Sequence, residues 1–99
     1  MNMKIHSVRF DADQKLISFI ESKLNKLSQF DDRIIGAEVF LRLDKNQNSE
    51  NKVTEIRLNV SRNEFFAKKQ CKSFEEATDQ SVEALRRQLI KKKGKKIDR

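Results

Sequence analysis

Ninety-nine residues are enough for one modest hydrophobic core and too few for two, and 22 Lys and Arg against 15 Asp and Glu give a formal charge of +7. At 36% hydrophobic and 37% charged the chain is polar, but its apolar residues are regularly patterned, which excludes a disordered polyelectrolyte. The opening MNMKIHSVRF shows neither a secretion signal nor a membrane span, and the single cysteine, Cys71, fits a reducing compartment, so the expected location is cytoplasmic.

Residues 3–9 form a short, roughly alternating run that suits a strand. Asp11 and Asp13 follow as candidate helix N-caps, since a carboxylate oxygen accepts the free first-turn amides. From there to Gln29, Leu16, Ile17, Phe19, Ile20, Leu24 and Leu27 recur on one broad face, which predicts an amphipathic helix. Lys15, Ser22 and Lys26 cluster at one edge of that face, and Lys23 projects close to the apolar arc. Over residues 34–43 the period changes to two, with Ala37, Val39, Leu41 and Leu43 alternating with Glu38, Phe40 and Arg42. Residues 45–52, KNQNSENK, are polar and Asn-rich and predict a hairpin loop. Thr54, Ile56, Leu58 and Val60 then alternate with Glu55, Arg57, Asn59 and Ser61, a second clear strand. Residues 62–64 predict a tight turn into a weaker strand over 65–72. Ser73 with Glu76 three positions on is the capping-box pattern, and the second helix is expected from Phe74 to about Lys93.

The order β-α-β-β-β-α predicts an α+β, two-layer sandwich, a four-stranded sheet with both helices packed on one face. Its first two strands are either parallel neighbours or apart. On the second helix Phe74, Ala77, Thr78, Ser81, Val82, Leu85 and Leu89 share a face, and the next position on it is Lys92. The core-facing stripe therefore stops near Leu89 and the helix runs on beyond the body. Gly94 is the expected stop, giving a single domain over residues 1–93 and a basic C-terminal tail over 94–99, disordered until bound.

Residues 86–97, RRQLIKKKGKKI, hold seven bases and no acid, whereas the chain up to Leu85 has fourteen of each. A lysine run is often only a solvated, frayed terminus. Here a patterned helix leads into it, no acid dilutes it, and two arginines precede the lysines. Arginine forks suit phosphate oxygens and lysines act as point charges, so the expected partner is a polyanion, nucleic acid first. An anionic membrane ranks lower, because the segment offers only Leu89, Ile90 and Ile97 as anchors. Without zinc-ligand spacing, heptads or a helix-turn-helix, and with Phe40 as the one candidate for a base-stacking sheet, two basic helices reading the backbone and shape of structured RNA fit best. The candidate RNA-binding residues are Lys15, Lys23, Lys26, Arg86, Arg87, Lys91, Lys92, Lys93, Lys95 and Lys96.

Catalysis finds no foothold. His6 is the only histidine, and Cys71 has no histidine near it in sequence. Asp31-Asp32 and Glu75-Glu76 occupy loop and helix-start positions that turn chemistry and the helix dipole explain, and two glycines cannot build a phosphate loop. No catalytic residue, metal, cofactor or small-molecule substrate is expected.

The opening M-K-I-H-S, the stretch FIESKLNKL over residues 19–27, and Ala77, Asp79 and LRRQL over 85–89 followed by lysines together resemble the short ribosome hibernation promoting factors, the family that includes the ribosome-associated inhibitor or ribosomal subunit interface protein. The resemblance covers essentially the whole chain. Glu75 stands where that family often has Tyr, and Thr78 where it has Ile. The resemblance implies a protein that is a monomer off the ribosome and binds the small ribosomal subunit and its 16S rRNA. It would sit where messenger and the A- and P-site transfer RNAs lie, keeping idle ribosomes inactive in starvation or stationary phase. Lys23, Lys26, Arg86, Arg87 and Lys91 fall on the family's basic helix positions. A role in ribosome dimers, promoting or opposing, is implied as well. The alternatives are a general RNA- or DNA-binding module without ribosome specificity and an adaptor whose basic end docks an acidic protein.

Overall fold

A computed structural model describes residues 1–45 and 49–97, with side chains through residue 92. Six elements follow in the expected order: β1 (Asn2–Ser7), α1 (Gln14–Phe30), β2 (Ile34–Leu43), β3 (Lys52–Val60), β4 (Asn63–Cys71) and α2 (Phe74–Ile97). The sheet runs β1-β2-β3-β4. β1 pairs with β2 in parallel, so the first two strands are neighbours across the α1 crossover. The other two ladders are antiparallel.

Strand periodicity decides which face is buried. Val39 lies opposite Ile5 and Ile56, and Ala37 opposite Met3 and Leu58, so these side chains share one face of the sheet. They form one core with Leu16, Ile20, Leu24 and Leu27 of α1 and with Leu85 and Leu89 of α2. Burying a Leu or Ile contributes about 1.5–3 kcal/mol, which is how strand alternation and helix stripe are held together. The start of α2 packs differently: Thr54 of β3 meets a small polar stripe there, Thr78 and Ser81, all three fully buried.

Local chemistry sets the ends of the helices. Of the two candidate caps Asp13 is the one used, its Oδ1 accepting from the Leu16 amide at 2.8 Å. Ser73 Oγ accepts from the Glu76 amide at 3.1 Å and caps α2. Below α1, Asp31 turns the chain into β2, accepting from the Arg33 amide and from its guanidinium at 2.6 Å. That carboxylate holds the Arg33 pKa still higher than the usual guanidinium value. Phe10 stacks on Phe74, ring centroids 5.1 Å apart, fastening the β1–α1 connection to the start of α2. Arg62, at φ 66°, closes the two-residue turn between β3 and β4.

β4 starts at Asn63, inside the turn expected over 62–64, and α2 is longer than expected by four residues. It runs through Gly94 to Ile97, 24 residues or about 36 Å. A single glycine costs about 1 kcal/mol in a helix relative to alanine and need not end it. Residues 98 and 99 of the expected tail lie outside the described residues.

Candidate nucleic-acid interface

α1 and α2 lie side by side and point the same way. Lys23 Nζ is 2.9 Å from Asp79 Oδ1, and the Arg86 guanidinium carbon is 4.8 Å from the centre of the Phe30 ring. Seven residues, two helical turns, separate these contacts on each helix. α1 ends at Phe30, level with Arg86, while α2 continues for three more turns. Leu89 is the last buried residue of its stripe at 1% exposed, and Lys92, the next on that stripe, is exposed. The α2 end therefore projects as a helix beyond the body, as the wheel predicts.

Charge along α2 is fully segregated. Its acids, Glu75, Glu76, Asp79 and Glu83, all precede its bases, which run from Arg86 to Lys96. This order matches the helix dipole, negative groups near the N-terminus and positive groups near the C-terminus. It also puts a one-sign field on the projecting end alone.

The ten candidate residues do not form one cluster. Lys91 and Lys92 are exposed on the projecting part of α2, Arg87 is exposed just before it, and Arg86 is half-exposed where it crosses Phe30. Lys26 is exposed one turn before Phe30 and lies near this end. Lys23 is engaged elsewhere: its ammonium pairs with Asp79 and lies 5.4 Å from the Phe19 ring centre. Lys15 sits in the first turn of α1, two turns before Lys23 and about 12 Å farther from the basic end. The side chains of Lys93, Lys95 and Lys96 lie outside the described ones.

Two acids missing from the candidate set shape it. Glu83 Oε1 lies 3.7 Å from Arg86 Nη1 and 4.0 Å from Arg87 Nε, half neutralising the pair. Its i+3 and i+4 spacing to the arginines is legible in a helical sequence. Asp79 opposite Lys23 is not, because that contact joins different helices.

The open face of the sheet offers a different chemistry. His6 Nε2 meets Glu38 Oε2 at 2.8 Å and Arg42 Nη1 meets Glu55 Oε1 at 2.5 Å, so acidic and basic side chains alternate across this face. Phe40, the candidate base-stacking aromatic, is already in use. His6 stacks on it with centroids 4.9 Å apart, and the Arg57 guanidinium carbon is 5.5 Å from its centre. Cys71 is buried, and desolvation pushes its thiol pKa up, away from the reactive thiolate. Among the described residues no group of His, Cys, Asp and Glu is arranged to hold a metal ion, and no helix is long and apolar enough to cross a membrane.

The fold has counterparts. The ribosomal subunit interface protein from Coxiella burnetii superposes with a TM-score of 0.85 at 18% identity, covering 95% of this chain and 99% of that one. The N-terminal domain of Thermus thermophilus Protein Y gives 0.76 at 21% identity, over 89% and 94% of the two chains. These likenesses show the fold. In sequence, the chain is 30% identical over 99 residues to the ribosome hibernation promoting factor of Azotobacter vinelandii, covering 100% of this chain and 89% of that protein. Matched over residues 3–97 by the model of the Sigma 54 modulation protein / S30EA ribosomal protein family, the chain belongs to that family.

Proposed function

We propose that the chain is a ribosome-binding hibernation factor. It occupies the messenger and transfer-RNA channel of the small subunit through contacts to 16S rRNA and holds ribosomes inactive in starvation or stationary phase. The observation that carries this is the basic end of α2, where Arg87 stands exposed beside the last buried leucine, Leu89, and Lys91 and Lys92 stand exposed beyond it. Ordered cations on a rigid helix neutralise backbone phosphates at less entropic cost than a loose tail. Kinship with a hibernation promoting factor supplies the ribosomal address.

The mechanism is occupancy, with no bond made or broken. The folded body, residues 1–93, fills space that messenger and transfer RNA need, and the basic end, continued by residues 94–99, anchors it. The protein works in the cytoplasm, apart from membranes, and is a monomer when off the ribosome.

Sedimentation of a stationary-phase lysate through sucrose tests this. The expected result is co-migration with particles containing the small subunit, lost in high salt. A spread over all nucleic acid would instead mark a general RNA- or DNA-binding module, and a small RNA-free complex an adaptor for an acidic protein.

A further inference from the structure

We propose that the seam where α1 ends against α2 binds an unpaired nucleobase of single-stranded RNA, stacked on the surface formed by Phe30 and Arg86. This rests on the RNA-binding function above and deepens it: the seam takes a base, while the projecting cations take phosphates.

Phe30 is the last residue of α1 and is 44% exposed, outside the buried core. Arg86 lies over its ring, and Glu83 holds the guanidinium from the other side of the fork. Ile90, one turn beyond Arg86 along α2, is 48% exposed. Exposed Lys26 lies one turn before Phe30, and Arg87 and Lys91 flank α2. The result is an exposed aromatic ring with a guanidinium over one face, and cations for the flanking phosphates on both helices.

Unpaired bases stack on aromatic rings and on arginine planes, whereas bases inside a duplex present no free face. The other aromatics are less suited. Phe40 is only partly exposed and has His6 stacked on its ring in addition to Arg57, whereas the exposed Phe30 carries a guanidinium alone among the described ring contacts. Phe66 is 46% exposed but stands on the sheet face, away from the basic helix end and opposite Arg57 in the ladder. Two half-exposed apolar side chains are too few for a protein-docking patch, and one base covers them.

The test uses the intact protein with a short single-stranded RNA carrying 2-aminopurine and a duplex of equal length. The wild type should quench the fluorophore in the single strand. Phe30→Leu, which keeps an apolar side chain, should weaken single-strand binding about tenfold and abolish the quench, with duplex affinity unchanged and an unaltered far-UV CD spectrum. Arg86→Lys, which keeps the charge and removes the plane, should weaken the single strand more than the duplex. Absence of quenching by the wild type, or equal losses on both RNAs in both variants, would overturn the proposal. If small subunits bind the wild type and Phe30→Leu leaves single-strand affinity intact, base stacking alone fails. If small subunits do not bind the wild type, the ribosomal function fails.

Discussion

Lys23 of α1 and Asp79 of α2 form an ion pair at 2.9 Å, and this pair shows that not every base on the helical layer is available to RNA. It fixes the level at which the parallel helices meet. It also withdraws one positive charge from the surface, while Arg86 and Arg87 share Glu83 two turns on. What remains uncompensated begins at Arg87 and runs outward, so attraction for a polyanion is strongest at the tip of the molecule.

Asp79→Asn separates structure from binding. The pair is partly exposed, and such pairs are worth about 0–1 kcal/mol. Urea unfolding should show a loss within that range, while affinity for rRNA at low salt rises severalfold as Lys23 is released. A fall in affinity would contradict the placement of Lys23 beside the binding face.

Thr54 and Thr78 are fully buried with hydroxyls that have no hydrogen-bond partner among the described residues. Replacing an unpaired buried hydroxyl by a methyl of similar size removes a desolvation cost. Thr54→Val and Thr78→Val should each stabilise by about 1 kcal/mol, raising Tm by about 4–8 °C in a domain of this size. Calorimetry showing a lower Tm for both would mean that those hydroxyls are satisfied in solution.

A Cβ on Gly36 would stand 2.8 Å from the Asn2 carbonyl oxygen, backbone against side chain at the β1–β2 ladder. Gly36→Ala should therefore cost about 1–3 kcal/mol through strain at the parallel edge. Hydrogen exchange should show the loss first as faster exchange in β1. Protection in β1 equal to wild type would rule out this close approach.

Burial holds the Cys71 thiol pKa above its unfolded value, aided by Glu76 and Glu50. The folded state thus keeps its proton longer. The resulting stability is complete below the unfolded thiol pKa of about 8.5 and is lost as pH rises through that value and beyond. Stability measured across the alkaline range should fall more steeply for wild type than for Cys71→Ala. Parallel curves would show that the thiol does not contribute.

What the sequence revealed was local. Alternation over β2, the caps at Asp13 and Ser73, and the change from Leu89 to Lys92 each depend on neighbours within a turn or two, where periodicity is a direct signal. The parallel pairing of β1 with β2, the Phe10–Phe74 stack and the Lys23–Asp79 and Arg86–Phe30 contacts join distant segments, and no local pattern encodes them. For this reason the candidate site read as ten equal cations. The fold divides the described ones into a paired Lys23, a remote Lys15, an exposed Lys26 on α1 and the exposed Arg87, Lys91 and Lys92 of α2. Gly94 was misjudged because a glycine weakens a helix without dictating its end.

The most direct test is co-sedimentation of purified protein with purified small ribosomal subunits over a range of salt concentrations, comparing wild type with Arg87→Glu/Lys91→Glu. Both side chains are exposed and outside the core-facing stripe, so the variant should keep the wild-type far-UV CD spectrum. Wild type should bind at low salt, its log affinity falling with log salt by roughly 0.7–0.9 per phosphate contact. The folded variant should stay in the supernatant. A variant that pellets with the subunits as wild type does, with the same salt slope, would contradict the assignment of the α2 end as the rRNA anchor.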